Sequence, residues 1–382
     1  MNKKIKLLRV VTQAEVVPWH LNNFIERSEN DYELYITGNG VSKYKDDYPQ
    51  VTFIDNMILR KVSFYSDLKA LIKLIKICRK IKPQIIHSIM PKSGLLSSIA
   101  GVIAFVPIRI HTYTGQVWST KKGIPRYIYK KLDKLVYLLN TICLTDSPSQ
   151  SKFLADHGFK KKGNQIHCLG KGSLTGVNFN KFNLSELENN NDLKKELGIL
   201  DNDFVYVFLA RKSIVKGIIE LFDSFDKISY LQNIKLLFIG PDESDGHLKE
   251  LEIKYIHLST KIINLGIVKN HEKYLAISDV LCLPSSSEGF GSVVIEAAAL
   301  GIPTIGFDIV GLSDSIEHGV SGILVPFKNT DEFSKAMLLL YENNEKFNEY
   351  KLNASKRVLN YFSADVIYKL QDEFYKSLLK KD

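Results

Sequence analysis

Two successive series of short, β-branched apolar runs, each interleaved with segments of helical spacing, restrict the fold of this chain more than any other feature. In the amino-terminal half the runs lie at 5–11, 34–37, 84–88, 108–112, 141–145 and 165–169, with helical spacing over 67–81 and 124–139. The pattern then restarts, with runs at 204–210, 235–239, 262–265, 280–283 and 304–307 and helical stretches at 218–230, 245–255, 271–277 and 293–300. Runs that are apolar throughout suit strands buried on both faces. Their alternation with helices predicts parallel sheets covered on both sides. Two such series in 382 residues predict two Rossmann-like, doubly wound α/β domains. The polar run 183–192 has no apolar period and reads as the linker, which gives domains at 1–183 and 184–362. Further helices are expected at 333–341, 347–361 and 364–379.

Charge is divided unevenly between the halves. Residues 1–183 hold 29 Lys+Arg against 12 Asp+Glu, net +17, whereas 184–382 hold 22 against 30, net −8. The basic half suits nucleic acid or an anionic membrane. No zinc-finger spacing or interleaved basic–aromatic RNA motif favours nucleic acid. The segment 124–139 places Arg126, Lys130, Lys131 and Lys134 beside Ile128, Leu132, Leu135 and Leu138, just after Lys121 and Lys122. Such a basic amphipathic helix can lie on an anionic leaflet, and the same pattern also describes the solvated face of a core helix. The uncharged stretch 93–108 is shorter than the ~20 residues a bilayer requires and contains Ser97, Ser98 and Pro107, so it reads as a buried helix followed by a strand. MNKKIKLLRVVTQ lacks the long apolar segment of a secretory signal and reads as a first strand. Cys78, Cys143, Cys168 and Cys282 show no metal-ligand spacing and read as reduced core residues of a cytoplasmic protein.

The residues with the clearest chemistry lie in 284–304, PSSSEGFGSVVIEAAALGIPT. A buried strand leads into a loop, and Gly301 and Pro303 end the helix that follows. Gly289 and Gly291 let the backbone approach a ligand, and the amides of Gly291, Ser292 and Val293 suit an anion such as phosphate. Glu288 and Glu296 frame that position. Carboxylates repel phosphate but accept strongly from sugar hydroxyls, so a nucleotide sugar fits the combination. An earlier strand ends in Ala210-Arg211-Lys212-Ser213-Ile214-Val215-Lys216-Gly217. There Arg211 and Lys216 can neutralise a departing diphosphate.

The 284–304 stretch resembles the signature of family-4 retaining glycosyltransferases: two glutamates with seven residues between them around a Gly-Phe-Gly turn. The resemblance implies a GT-B fold, in which two Rossmann-like domains enclose a ligand cleft and the last helix, about 363–382, crosses back to the first domain. It assigns the donor sugar to Glu288, the ribose to Glu296 and the diphosphate to Arg211, Lys216 and the Gly289, Phe290, Gly291, Ser292, Val293 turn. Gly240 and Val268 fall where the family holds its base, although turn residues after a strand are expected there on structural grounds too. Arg109 to Gly123, RIHTYTGQVWSTKKG, and Met90 to Gly94, MPKSG, resemble the members that build capsule, O-antigen and lipid-linked oligosaccharides. On that resemblance His111, ending a strand, lies at the reacting carbon, while Trp19, His20, Lys92, Thr114 and Gly115 surround the acceptor, with Lys92 meeting its phosphate.

Several departures stand beside the match. Residues 12–20 replace a glycine-rich loop, Ala210 replaces the usual glycine, and Asn178 replaces an aspartate in 170–178, which reads as a hinge turn. The single Asp-x-Asp, Asp201-Asn202-Asp203, precedes a strand and reads as a turn, so no metal and no cofactor are expected. The expectation is retaining transfer from a UDP-sugar, of N-acetylhexosamine type, to a polyprenyl-diphosphate-linked saccharide at the inner face of the cell membrane. The alternatives are a nucleotide-sugar 2-epimerase of the same architecture, transfer to a soluble acceptor, and a non-catalytic membrane-surface scaffold.

Overall fold

The computed structural model describes residues 4–160, 166–187 and 191–380, which divide into two compact units: Met1–Gly176 with Ala364–Asp382, and Val177–Ser363. The first unit runs β1 (Ile5–Gln13), α1 (Asn22–Ser28), β2 (Tyr32–Asn39), β3 (Thr52–Asp55), α2 (Phe64–Ile81), β4 (Ile85–Ile89), α3 (Pro91–Ile103), β5 (Ile108–Tyr113), α4 (Gly123–Leu139), β6 (Ile142–Thr145), α5 (Pro148–Asp156) and β7 (His167–Cys168). The second runs α6 (Leu184–Leu187), α7 (Asn191–Glu196), β8 (Phe204–Leu209), α8 (Ile218–Asp226), β9 (Ile234–Ile239), α9 (His247–Lys254), β10 (Ile262–Leu265), α10 (His271–Ala276), β11 (Val280–Leu283), α11 (Ser292–Ala299), β12 (Thr304–Phe307), α12 (Leu312–Ser315), β13 (Gly322–Val325), α13 (Thr330–Glu342) and α14 (Asn344–Tyr361). The last helix, α15 (Ala364–Leu379), returns to the first unit.

Both sheets are parallel, in the orders β3-β2-β1-β4-β5-β6-β7 and β10-β9-β8-β11-β12-β13. β8 shows why its run is apolar throughout. Tyr206 and Phe208 pack into one core with Phe222 and Phe238, while Val205 and Val207 pack into another with Leu281 and Leu283. The strand order reverses between β1 and β4 and again between β8 and β11. Chains of this topology leave a crevice beyond the carboxyl ends of the two strands at the reversal, because their connections depart to opposite faces.

Two strands were not expected from the sequence: β3 and β13. Each has four residues at a sheet edge; β3, TFID, is largely open to solvent and shows no apolar period, whereas β13, GILV, is apolar and mostly buried. The units part at Gly176/Val177, earlier than the polar run. Val177 N–H donates to the Phe362 carbonyl at 2.8 Å, and Val177 and Phe182 are buried in the second unit's core. The polar run itself carries α6 and α7, with 188–190 outside the described residues, as is Gln165 of the expected sixth strand. No helix among the described residues is long and apolar enough to cross a membrane.

A buried polar chain fixes α15 on the first sheet. Arg9 Nη1 donates to the Tyr375 hydroxyl at 2.7 Å, and that hydroxyl lies 2.6 Å from His87 Nδ1, while His87 Nε2 lies 2.7 Å from Thr112 Oγ1. The phenol accepts from Arg9, and the neutral His87 ring, which has one N–H and one bare nitrogen, links Tyr375 on α15 to Thr112 on β5. On the neighbouring β5, His111 Nδ1 lies 3.0 Å from Ser88 Oγ. Burial holds both imidazoles neutral. It drives His87 well below its ordinary value, with Arg9 and His111 adding to the effect, and His111 down to about 3.

The unfolded chain takes up protons on these rings near pH ~6.5, and the folded chain refuses them. Stability is therefore present above that pH and falls as the pH drops toward the folded value, by up to ~1.4 kcal/mol per pH unit for each ring. Asp133 acts with the opposite sign, since burial raises its carboxyl to about 7, and comparing two variants cancels its contribution. Urea unfolding of wild type and His111→Asn between about pH 4.5 and pH 6 should show a shallower decline in the variant. Equal slopes would contradict a buried, neutral His111.

Candidate functional site

The second unit gathers its charged residues where β8 and β11 end. Gly217 has φ +78°, and a Cβ there would lie 1.9 Å from the Pro284 carbonyl oxygen, so only glycine permits the loop after β8 to press on the loop after β11. Ser286 completes the junction, with its N–H and Oγ donating to the Val215 carbonyl at 2.8 and 2.9 Å. The consequence is an ion pair between Lys216 Nζ and Glu288 Oε1 at 2.6 Å, with only 15% and 11% of the two side chains exposed. A carbonyl at Gly289, 2.5 Å from where a Cβ on Gly311 would sit, shows how closely the backbone behind Glu288 is backed.

The other charged residues of the expected set have partners of their own. Arg211 is about half exposed and pairs with Glu243, Nη1 to Oε2, at 2.6 Å. Glu296 stands one turn inside α11, its Oε2 3.1 Å from His271 Nε2 at the start of α10. The sequence reading missed His271, since a lone histidine opening a helix carries no signal of its own. Gly291, with φ +81°, opens α11, and the first-turn amides of Ser292 and Val293 precede any acceptor within the helix.

Three residues of the expected donor set are packed into or against the core by their side chains. Phe290 is buried, its ring 5.2 Å from that of Phe362, so only its backbone is left to meet a ligand. Val293 packs partly against the same core, as does Val268 after β10. Gly240 has φ +139°, and a Cβ there would lie 1.9 Å from the carbonyl oxygen of Ala210, the residue that replaces the usual glycine. Lys212, also missed, is buried with its ammonium turned away from Arg211, donating to Asn264 Oδ1 and the Leu265 carbonyl. The Asp201–Asp203 segment is a turn: Asp203 Oδ2 accepts from Leu200 N–H at 2.9 Å.

In the first unit His111 lies within β5, which continues to Tyr113, so it does not end its strand. Its ring meets that of Tyr113 edge-on at 4.6 Å, and a Cβ on Gly94 would lie 2.4 Å from its Cε1. Nδ1 bonds Ser88, and Nε2 has no hydrogen bond among the described residues. Lys92, expected to meet a phosphate, is engaged within the unit: Nζ lies 2.6 Å from Asp67 Oδ1 and donates to the Lys61 carbonyl at 2.7 Å. Trp19 is well exposed on the helical turn Val17–Leu21 after β1, and His20 beside it is less so. Thr114 and Gly115 follow β5, with Gly115 N–H donating to Gln150 Oε1 at 3.2 Å. The same loop is pinned to α4 by buried Trp118, whose Nε1 donates to Asp133 Oδ2 at 2.8 Å.

Two family models match the chain. "Glycosyl transferases group 1" matches residues 189–357, and "Glycosyl transferase 4-like" matches residues 6–143. The capsular polysaccharide biosynthesis glycosyltransferase CapM of Staphylococcus aureus is 29% identical over 380 residues, covering 99% of each chain. The UDP-Gal:alpha-D-GlcNAc-diphosphoundecaprenol alpha-1,3-galactosyltransferase of Escherichia coli is 25% identical over 386 residues, covering 99% of this chain and 97% of that one. The structure of Anabaena HepE in complex with UDP and glucose superposes with a TM-score of 0.80 at 17% identity, covering 98% of this chain and all of that one. With the two family models together matching both Rossmann-like units in sequence, the chain belongs to the family-4 glycosyltransferases of the GT-B fold.

Proposed function

We propose that this glycosyltransferase moves a sugar, of N-acetylhexosamine type, from a UDP-linked donor to a polyprenyl-diphosphate-linked saccharide in the synthesis of a bacterial capsule or O-antigen. It does so with retention and without a metal or other cofactor. The observation that carries the donor half of this reading is the Lys216–Glu288 pair at the strand-order reversal of the second unit, with Arg211 in the loop after β8 and Glu296 in α11. Lys216 and Arg211 suit the diphosphate, the α11 amides add donors to it, and Glu288 and Glu296 accept from sugar and ribose hydroxyls. The first unit holds the acceptor. His111, uncharged, offers Nε2 to the donor sugar as a neutral hydrogen-bonding group.

In the step itself the bond from the anomeric carbon to the diphosphate oxygen breaks as the acceptor hydroxyl bonds that carbon from the same face. The acceptor proton passes to the departing phosphate oxygen, which is why no carboxylate base is required. The Escherichia coli relative, named for UDP-galactose and a diphosphoundecaprenol acceptor, supports a UDP-linked donor and a polyprenyl-diphosphate-linked acceptor, though its donor sugar is galactose.

The reading places the protein against the cytoplasmic leaflet. On α4 only Asp133, Val136 and Tyr137 are buried, whereas Ile124, Tyr127, Ile128, Leu135 and Leu138 are exposed among the helix's cations. α3 packs between α4 and α2, and α2 exposes Phe64, Tyr65, Leu68 and Ile72 in its first half. Apolar side chains ringed by lysines suit an anionic interface, where each cation contributes roughly 1 kcal/mol.

Three outcomes follow from this reading. Glu288→Gln should bind UDP roughly three- to tenfold more tightly, because Lys216 is freed and a negative charge is removed. Transfer should fall about 100-fold or more. Calorimetry showing weaker UDP binding, or an assay showing full transfer, would end the assignment. Second, transfer measured in EDTA should equal that in magnesium, since Lys216 and Arg211 neutralise the charge of the leaving group. Complete loss restored by magnesium would contradict it. Third, sedimentation with anionic phospholipid vesicles should be salt-sensitive. It should be abolished by joint replacement of Lys121, Lys122, Lys130 and Lys131 with glutamate, with UDP binding intact. Undiminished sedimentation of that variant would favour a soluble acceptor.

A further inference from the structure

Lys212 is the one buried cation of the second unit's strand-end loops that the donor reading leaves without a task. It follows Arg211 directly, but its side chain turns into the sheet. The residue is 3% exposed, its Nζ passes 4.8 Å from the centroid of the Phe238 ring on β9, and it donates to Asn264 Oδ1 and to the Leu265 carbonyl on β10. Its backbone is held as well: Lys212 N–H donates to the Pro241 carbonyl at 2.8 Å, and its own carbonyl accepts from Glu243 N–H at 3.0 Å. Asn264 is held in turn by Glu252, to which its Nδ2 donates at 2.7 Å.

The strand order gives this reach a purpose. β10 is the edge strand of its sheet, paired only with β9, and it is only partly buried. The loop that leaves it, 266–268, therefore has no second strand to fix its height. Lys212 supplies the missing restraint by spanning β9 from the loop after β8. Its effect is shared with Gly240, whose N–H donates to the Leu265 and Gly266 carbonyls at 3.3 and 3.1 Å. Burying an ammonium has a cost: burial lowers Lys212 to about 8, against the pull of Asp242 and Glu252. An apolar side chain would fill the same space without that cost, so packing alone does not explain a lysine here.

We propose that Lys212 is a positioning residue for nucleotide selectivity, a tether that sets the 266–268 loop at a fixed distance from Arg211 and so matches the gap between base and diphosphate to a uridine nucleotide. This rests on the donor reading above, in which Val268 meets the base and Arg211 the diphosphate. Lys212 touches no ligand itself. Its removal should loosen the base end of the site and leave the diphosphate end unchanged.

The test compares UDP, ADP and inorganic pyrophosphate by calorimetry on the full chain, wild type against Lys212→Met. The variant should bind UDP about tenfold more weakly and lose about tenfold in its preference for UDP over ADP, with pyrophosphate binding unchanged. In turnover, KM for the donor should rise with kcat kept, and Lys212→Arg, which keeps a long cationic donor, should restore most of the selectivity. An unaltered UDP-to-ADP ratio, or an equal loss for pyrophosphate, would overturn the tether. Should Lys212→Met fail to fold, Asn264→Ala, which removes one of the two acceptors, decides the matter on the same series. Wild-type protein that bound no UDP would overturn the donor reading and this inference together. UDP binding by wild type and variant alike would overturn the tether alone.

Discussion

The buried Lys216–Glu288 ion pair is the interaction on which the second unit's site depends. Lys216 comes from the loop after β8 and Glu288 from the loop after β11, so their contact joins the two strand ends at which the sheet order reverses. It exists because Gly217 has no side chain to hold Pro284 away. A paired charge in so dry a place is costly to leave alone, which keeps both side chains in one geometry until a ligand offers each a better partner. A diphosphate can replace the carboxylate for Lys216, and sugar hydroxyls can replace the ammonium for Glu288. Both exchanges are met by one molecule, a nucleotide sugar.

The first unit handles its polar residues differently. Its central groups, Arg9, His87, Thr112 and Tyr375, are consumed in fixing α15 to the sheet, and Lys92 is consumed in joining the start of α2 to the start of α3. What this unit leaves outward is apolar and basic, along α4 and the first half of α2. That division suits the proposed lipid-linked acceptor for the first unit and the proposed nucleotide donor for the second.

Much of this was legible in the sequence, for physical reasons. Central strands such as β8 and β11 are covered on both faces and must be apolar throughout, so they stand out. Edge strand β3 escapes that requirement and was missed, whereas β13 is apolar and mostly buried and was missed all the same. Arg211, Lys216, Glu288 and Glu296 could be singled out because they lie in, or one helical turn beyond, short loops that follow readable strands. Their partners were not: His271 and Lys212 are drawn in by strands distant in sequence, and no local pattern marks them. Lys92 and Phe290 were expected to meet ligands, yet the structure turns their side chains to a salt bridge and to the core. Burial decides such cases, and burial is a property of the assembled sheet.

The central claim is that this chain transfers a sugar from a UDP donor to a polyprenyl-diphosphate-linked saccharide on the face the diphosphate leaves. Proton NMR of the product formed from a panel of UDP-sugars with a short-chain polyprenyl-diphosphate saccharide tests it most directly. The account predicts a new glycosidic bond whose anomeric proton shows the configuration of the donor. A product of inverted configuration, or free epimerised sugar with no transfer from any donor, would contradict it.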